Sequence, residues 1–480
     1  MILPSFDAEY SVMYAIAPWI SVTCLLYYAR TISKKREWFL FALVLLAAYE
    51  IRYRSFLGDS DVMYMIMSAL LLAVLAAVEL LVFLLDRFYQ TYSPGVLKVI
   101  AFPIARIVME RFVIGQQFNY SLTQFGNKWL IQSAAFVGDV FISFSVAFVP
   151  SVIVYMIIKR ENRKMIRWGT AVLACYMILF LAGGVRYTFS PVKYPAIHMA
   201  YASGPQKTYY EEPSETDPEY EENVQYLRRT TAEAAGNGAK LIAYAEEAFI
   251  VNGEEEEELT REACAAAEEN DIFILLSLDV TDKDGNYLNK AVLIDNEGKQ
   301  LSEYMKTNLI PVIEAEDYVA GDGDIPSNRV VIDGHELVIS YTVCYDATFS
   351  DYLITMDEET DLFINPSWDW EEIVDLNYRM QGLNAIENGV VMFKPTVDGW
   401  SMVTDPYGRM VYKESTLRGD YDKVRYANVP QGKTDTLYRR ICRPVQWFWS
   451  LSTLSVGLGG IISGIAYYRS RRNRKNKTAR

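Results

Sequence analysis

The chain has 480 residues, 51% of them hydrophobic, and a formal net charge of −14 at pH 7. It is too long for one ordinary domain, and its acidic balance argues against nucleic acid as a partner, because phosphates are bound by basic surfaces. Its five cysteines stand singly and it has only two histidines, so we expect no metal site, no cofactor, no disulfide framework and no histidine-based catalysis.

From about residue 10 to residue 186 the sequence is dominated by apolar stretches of about 20 residues, the length needed to cross a bilayer. Two of them contain ionisable residues, which must either face the bundle interior or lie at the membrane interface. The sequence therefore predicts a multi-pass α-helical membrane bundle over residues 1–189. The candidate spans are 9–30, 38–57, 62–86, 95–115, 129–158 and 166–186, followed by 445–468 near the C-terminus.

Basic residues indicate the orientation of these spans, because lysine and arginine are enriched in cytoplasmic loops. The clusters at 34–36, 159–167 and 469–480 all fall on one side if there are seven spans. We therefore expect residues 441–480 to form a last span with a cytoplasmic tail. The loop with Asp59 and Asp61, and an insert at 190–440, are expected outside. Residues 1–9 carry no lysine or arginine, so no cleavable signal is expected.

The insert has the pattern of an α/β domain, because apolar β-prone runs alternate with helical stretches. Turn residues at 284–286, 296–298 and 333–334 predict hairpins and hence a mixed sheet. Residues 190–220 are expected to run extended over the surface. Residues 254–258 are all glutamate and are expected to be solvated, without a catalytic role. The predicted strands are 241–245, 272–278, 291–294, 337–345, 362–364 and 390–393, and the predicted helices are 221–235 and 258–270.

The run 339–349 places one thiol, that of Cys344, at the end of an apolar β-prone segment. A cysteine acts as a nucleophile only as its thiolate, which needs a base, a nearby cation and an orienting carboxylate. Taken alone, a cysteine at such a position is more often a small buried hydrophobic residue. If the partners are present elsewhere in the fold, the chain is an enzyme.

Two segments could supply those partners. Glu246 follows an apolar strand, where partial desolvation raises the pKa of a carboxylate and suits it to general-base catalysis; the alternative is an ordinary solvated glutamate. Lys306 would lower the pKa of a nearby thiol and stabilise an oxyanion, and Glu314 would orient either that lysine or the acyl group; the alternative is a solvent-exposed lysine. A third segment, 384–389, is expected to be a helix end capped near Gly389 and to serve as scaffold.

In the order glutamate, lysine, cysteine, these segments resemble the carbon-nitrogen hydrolase (nitrilase) superfamily. The motifs that carry the resemblance are Cys344-Tyr345-Asp346, Tyr304-x-Lys306-x-x-Leu309-x-Pro311-x-x-Glu314, and Arg379-Met380 with Ala385-Ile386-Glu387. The resemblance implies a four-layer α-β-β-α sandwich at 190–440, with Glu246 as base, Lys306 as oxyanion stabiliser and Cys344 as nucleophile. Glu314, Tyr345 and Asp346 would support this triad.

A domain of this kind, set between a bundle and a last span, is similar to the apolipoprotein N-acyltransferase family of bacteria. Residues 129–144 are also similar to a segment of that family's bundle. The likeness implies an acyltransferase of the bacterial cell membrane with its catalytic domain on the outer face. An acyl chain would pass from a phospholipid, through a cysteine thioester, to the α-amine of a diacylglyceryl-cysteine lipoprotein.

The chain also departs from that family. Tyr244-Ala245-Glu246 stands where the family has Trp-Pro-Glu, which leaves Glu247 open as an alternative base. Asp346 replaces the glutamate usual at that position and is closer to soluble amidases, and residues 365–370 match only loosely. The stretch that follows Glu314 is short and acidic instead of forming a longer apolar lid. A membrane-tethered amidase with the same triad, or an inactive binding module, are therefore the alternative functions.

Overall fold

The computed structural model describes residues 12–53, 62–93, 95–112, 118–191, 196–205, 220–311, 313–417 and 421–478. The segment 1–9, the loop with Asp59 and Asp61, residues 206–219 and parts of the predicted spans 9–30, 38–57 and 95–115 lie outside these residues. The chain divides into two compact units, Met1–Phe189 with Leu437–Arg480, and Ser190–Thr436.

The first unit is helical. By length and composition, four of its described helical stretches can cross a membrane, over Val62–Tyr92, Asp139–Ile158, Arg163–Phe189 and Trp447–Arg469. The prediction of a multi-pass membrane bundle is thus confirmed, whereas the count of seven spans and their orientation remain predictions. The helices are α1 (Val12–Thr31), α2 (Lys35–Tyr53), α3 (Val62–Tyr92), α4 (Leu97–Phe112), α5 (Ala134–Val137), α6 (Asp139–Ile158) and α7 (Arg163–Phe189), with α12 (Leu437–Thr478) after the second unit.

The predicted span 129–158 was wrong as a single helix. A short 3-10 helix at Ile131–Ser133 leads into the one-turn α5, and Gly138 then breaks the helix before α6 begins at Asp139. Gly138 has a φ of 81°, a conformation that glycine adopts without the penalty of a Cβ atom. An average of hydropathy over the segment does not detect such a local break.

Two ionisable residues of α4, Arg106 and Glu110, face the bundle interior. Arg106 Nη1 lies 2.5 Å from Glu79 Oε2 of α3, and Arg106 Nε lies 2.9 Å from Glu110 Oε1. Two turns further along α3, Arg30 Nε of α1 lies 2.8 Å from Asp86 Oδ2. All five side chains are buried, and pairing is what makes charges tolerable away from water.

The second unit contains two large mixed sheets. The first has the order β15-β1-β2-β4-β5-β6, with β3 also paired to β4, and the second has the order β14-β13-β11-β9-β8-β7; β10 and β12 form a separate pair. The strands are β1 (Ala196–Ala202), β2 (Leu241–Tyr244), β3 (Phe249–Asn252), β4 (Phe273–Thr281), β5 (Tyr287–Ile294), β6 (Gln300–Met305), β7 (Ser327–Ile332), β8 (His335–Tyr341), β9 (Leu362–Ile364), β10 (Ser367–Trp368), β11 (Val391–Lys394), β12 (Thr396–Val397), β13 (Trp400–Thr404), β14 (Met410–Ser415) and β15 (Arg425–Pro430).

The two sheets face each other across an apolar core to which strands of both contribute. A second core lies between the first sheet and the helices α8 (Tyr220–Gly236) and α9 (Gly253–Asn270). On the other side, α11 (Val374–Asn388) packs on the second sheet, with the one-turn α10 (Ser350–Leu353) beside it. The four-layer α-β-β-α sandwich is therefore confirmed. Each of the three predicted turns joins an antiparallel pair: β4 with β5, β5 with β6, and β7 with β8.

Three local predictions were wrong. Residues 196–202 do not run over the surface but form β1, a buried strand between β15 and β2. The strand predicted to run to residue 345 ends at Tyr341, and Cys344–Thr348 is a 3-10 helix. The helix predicted to begin at residue 258 is α9, which begins at Gly253. Asn252 caps it, and the glutamates of its first turn interact favourably with the positive end of the helix dipole.

Candidate active site

Glu246 lies just beyond the carboxyl end of β2, in the interior of the first sheet, and is only 2% exposed. Its Oε1 accepts hydrogen bonds from Lys306 Nζ (2.8 Å) and Asn289 Nδ2 (2.9 Å). Its Oε2 accepts one from the backbone N–H of Trp368 (2.7 Å). Three donors from three different segments thus fix the orientation of this carboxylate.

Lys306 follows β6 and is buried, with 1% exposed. Its backbone N–H donates to Asn289 O (2.9 Å). Its Nζ lies 2.5 Å from Glu314 Oε1 and 2.8 Å from Glu246 Oε1. Glu314 Oε2 in turn accepts from the backbone N–H of Ile310 (2.7 Å). Burial opposes the charge of Lys306, but the two carboxylates raise its pKa well above its ordinary value, so it remains an ammonium.

Cys344 begins the 3-10 helix that follows β8 and has a left-handed backbone, with φ of 44°. Such a conformation is strained for a residue with a Cβ atom and is found at functional sites more often than elsewhere. The backbone N–H donates to Pro366 O (2.8 Å), and Sγ lies 3.5 Å from Trp368 O. Burial raises the pKa of the thiol well above its ordinary value, Glu246 raises it further and Lys306 lowers it. The resting group is a neutral thiol that needs a base.

The structure brings Glu246, Lys306 and Glu314 into direct contact, and Cys344 joins them through the backbone of Trp368. The N–H of Trp368 binds the Glu246 carboxylate, and the C=O of the same residue accepts from the Cys344 thiol. The arrangement offers a nucleophile, a carboxylate and a fixed cation, which are the components of covalent acyl transfer.

The two other predicted supporting residues lie in the same 3-10 helix as the thiol. Asp346 accepts from Tyr304 Oη (2.7 Å), from the Asn308 backbone N–H (2.6 Å) and from Asn308 Nδ2 (2.8 Å). It therefore links the thiol segment to the loop after Lys306. The ring of Tyr345 packs edge-on against Phe349, with 4.9 Å between centroids.

Glu247, the alternative base, has different surroundings. Its Oε1 accepts from Asn289 Nδ2 (2.9 Å), and its backbone is left-handed, with φ of 54°. Burial raises its pKa well above the ordinary value, and the charges of Asp279 and Glu246 raise it further. The surroundings of Glu247 therefore favour its neutral form, and the contact with Lys306 is made by Glu246.

Carboxylate oxygens of Glu246, Glu247 and Glu314 lie within 4.8 Å of one another, a spacing that a metal ion could bridge. The Lys306 ammonium already lies between Glu246 and Glu314. This cation compensates the charge of two of the three carboxylates, Glu246 and Glu314, without a metal.

Sequence reasoning missed Asn289 and the ion pair of Asp369 with Lys394, and it treated the segment around Trp368 as a loose match. Asn289 lies within β5, where an isolated buried amide gives no pattern, and Trp368 acts through its backbone. The segment 384–389 is a helix end capped at Gly389, as expected: Gly389 ends α11 with φ of 68°, and Asn384 Nδ2 donates to Ala347 O (2.7 Å).

A family model of the carbon-nitrogen hydrolases matches residues 205–437. The apolipoprotein N-acyltransferase of Rickettsia prowazekii (strain Madrid E) is 24% identical over 326 residues, 63% of this chain and 62% of that protein. The protein of the same name from Rickettsia bellii (strain RML369-C) is 29% identical over 140 residues, 25% of this chain and 27% of that protein. The matched region thus spans less than two thirds of these relatives.

Solved structures of an amidase from Nesterenkonia sp. are also similar. One crystal structure is 17% identical, with a TM-score of 0.44, and covers 54% of this chain and 98% of that chain. A mutant of that amidase in complex with butyramide is 18% identical, with a TM-score of 0.45 and the same coverage.

Proposed function

We propose that this chain, whose residues 205–437 form a carbon-nitrogen hydrolase domain, is a membrane N-acyltransferase. It would move an acyl chain from a phospholipid to the α-amine of a diacylglyceryl-cysteine lipoprotein. The observation that carries the proposal is the convergence of Glu246, Lys306 and Cys344 around the Trp368 backbone, in a chain that also has helices able to cross a membrane.

In the first half-reaction, Glu246 accepts the Cys344 proton as the sulfur attacks the ester carbonyl of the phospholipid. Lys306 and backbone N–H groups hold the oxyanion of the tetrahedral intermediate. The intermediate collapses to a thioester on Cys344, and the leaving lysophospholipid oxygen takes the proton back from Glu246. The high pKa of the buried thiol supports this order, because proton removal must accompany attack.

In the second half-reaction, the lipoprotein amine attacks the thioester. Glu246 takes a proton from the nitrogen, the C–S bond breaks, and the sulfur of Cys344 recovers that proton. The products are an amide on the lipoprotein and the free thiol. No cofactor is needed, because the acyl group stays at one oxidation level throughout.

The membrane unit supports lipids as both substrates, since a chain with several spans keeps its catalytic domain close to the bilayer. The basic clusters at 34–36, 159–167 and 469–480 favour a cytoplasmic tail and a catalytic unit on the outer face of a bacterial cell membrane.

The test is to incubate the full-length protein in detergent or vesicles with a phospholipid carrying a labelled acyl chain and to isolate labelled protein. We expect a hydroxylamine-sensitive label on the wild type and none on Cys344→Ala or Glu246→Gln. Cys264→Ala is the matched control, because Cys264 lies on α9, and it should keep the label. Absence of label on the wild type, or label retained in Cys344→Ala, would overturn the proposal.

An amidase is the second candidate, and Asp346 favours it, because soluble amidases resemble this chain at that position. The two candidates differ in what takes the acyl group from the thioester. If water takes it, mass spectrometry should find turnover of small amides and no N-acylated peptide. If the proposal is right, a diacylated cysteine peptide should gain one acyl chain at its amine.

A further inference from the structure

Two buried charged residues lie next to the candidate site and take no part in the chemistry described above. Lys394 Nζ of β11 lies 2.5 Å from Asp369 Oδ2, and both side chains are 0% exposed. Burial of an ion pair costs several kcal/mol for each ion, and apolar residues of similar volume often stabilise a fold equally well. Stability alone therefore does not account for this pair.

Asp369 is held from several directions. Its backbone N–H donates to Val397 O (3.1 Å), and its Oδ1 accepts from Asn377 Nδ2 of α11. On a further side, Gly399 packs closely against the Asp369 side chain. A Cβ atom built on this glycine would lie 2.4 Å from Asp369 Oδ2 and 2.8 Å from Asp369 Cβ. The carboxylate thus joins β10 to β11, α11 and the turn before β13.

The residue before Asp369 is Trp368, whose N–H binds the Glu246 carboxylate and whose C=O accepts from the Cys344 thiol. Trp368 belongs to β10, which has two residues and pairs with the equally short β12. So short a pair does little to hold itself in place. The position of the Trp368 peptide groups therefore depends on how the next residue is anchored.

We propose that the Asp369–Lys394 ion pair is a positioning element that fixes the Trp368 peptide groups between Glu246 and Cys344. This inference rests on the proposed function, in which Glu246 is the base and Cys344 the nucleophile. A displacement of about 1 Å at such a bridge costs roughly 100-fold in rate.

The two charges of the pair act in opposite directions on the titration of the Cys344 thiol. The charged groups that act on Cys344 are Glu246 after β2, Lys306 after β6, Asp369 after β10 and Lys394 on β11. Asp369 disfavours the thiolate and Lys394 favours it, so removing one or the other shifts the titration of the thiol in opposite directions.

The experiment uses the full-length protein in detergent and follows alkylation of Cys344 by iodoacetamide against pH, read by mass spectrometry of its peptide. Acyl transfer is measured in parallel. Asp369→Asn should move the alkylation midpoint to lower pH and Lys394→Met to higher pH. The double variant should return close to the wild-type midpoint. All three should lose roughly 100-fold in kcat for acyl transfer with little change in KM.

Gly399→Ala tests position without changing charge. Its Cβ would displace the Asp369 carboxylate but keep its charge, so kcat should fall while the alkylation midpoint shifts less than in Asp369→Asn. The matched controls are ion pairs elsewhere in the unit: Glu336→Gln breaks the exposed pair with Arg329, and Asp405→Asn breaks the more buried pair with Arg409. Both should retain wild-type kcat and midpoint.

The inference fails if both single variants shift the midpoint in the same direction, or if the double variant and Gly399→Ala both keep full kcat. These outcomes differ from failure of the proposed function, in which the wild type itself forms no acyl-enzyme. Thermal unfolding of each variant shows whether it remains folded. The alkylation midpoint and kcat of any folded variant still support or overturn the inference.

Discussion

Glu246 and Glu247 are adjacent in sequence, but their carboxylates have different chemistry. Glu246 contacts the Lys306 ammonium and the Trp368 N–H, whereas Glu247 shares the Asn289 amide, and burial and the charge of Asp279 raise the pKa of Glu247 and so favour its neutral form. A neutral glutamate is imitated well by glutamine. We expect Glu246→Gln to abolish the acyl-enzyme and Glu247→Gln to retain most of it, as measured by thioester labelling. Equal loss in both variants would contradict this division of roles.

The raised pKa of Glu247 also predicts how stability depends on pH. In the unfolded chain the group ionises near its ordinary value of 4.5, whereas in the folded chain it keeps its proton to higher pH. The folded state is therefore penalised increasingly as pH rises above that value. Glu247→Gln should remove the penalty, so its gain in melting temperature over the wild type should be larger at about pH 8 than at about pH 5. A gain that shrinks as pH rises would exclude this explanation.

Single residues of the candidate site could be predicted from the sequence where a side chain follows an apolar strand. Glu246, Lys306 and Cys344 each stand just beyond such a run, so their types and order identified them as candidates. Asn289 and Trp368 were not identifiable in this way. One contributes an amide from within a strand, and the other contributes backbone groups that any residue possesses.

Among the elements, the 3-10 helix at Cys344–Thr348 and the loop after Lys306 are joined through Asp346. This carboxylate accepts hydrogen bonds from Tyr304 and from the backbone and side chain of Asn308, so its removal would break all three. A hydrogen bond to a charged group contributes about 1.5–3 kcal/mol to stability.

Asp346→Ala should therefore lower the melting temperature and reduce acyl-enzyme formation by roughly 100-fold, because Lys306 loses its anchored loop. The rate is measured by label incorporation and the stability by thermal unfolding. Asp324→Asn, an exposed acid in the segment before β7, serves as control and should change neither quantity. A fully active Asp346→Ala variant would show that the loop is held independently of this link.

Hairpins and amphipathic helices were predictable because glycine turns and helical periodicity are local signals. Strand β1 was not, since its neighbours β2 and β15 are distant in sequence and its surroundings are rich in proline, tyrosine and glutamate. The start of α9 was placed too late, because the cap at Asn252 was overlooked and the glutamate run was interpreted as solvated chain.

At the scale of the whole molecule, the membrane unit buries several charged side chains as ion pairs. Arg106 is paired with Glu79 and Glu110 and lies over the ring of Tyr120, with 3.9 Å between the guanidinium carbon and the ring centroid. Loss of one member of a buried pair costs about 3–5 kcal/mol, because the partner charge stays unpaired.

Arg106→Met should accordingly reduce the yield of folded protein and its melting temperature in detergent. Arg36→Met, a change of an exposed arginine just inside α2, should leave both unaffected. If Arg106→Met melts like the wild type, the cluster is not a structural element of the bundle. Hydropathy predicted the bundle, but it could not predict these pairs, which depend on how separate helices meet.

The antiparallel pairing of β1 with β15 has a consequence for synthesis of the chain. The register joins Ala196 to Pro430, so one flank of β1 remains unpaired until the ribosome has produced nearly all of the second unit. Until then β1 presents an open sheet edge, which is prone to pair with other chains. Completion of the first sheet is therefore a late step in the synthesis of the second unit, and chains that terminate before residue 425 would expose an edge suited to aggregation.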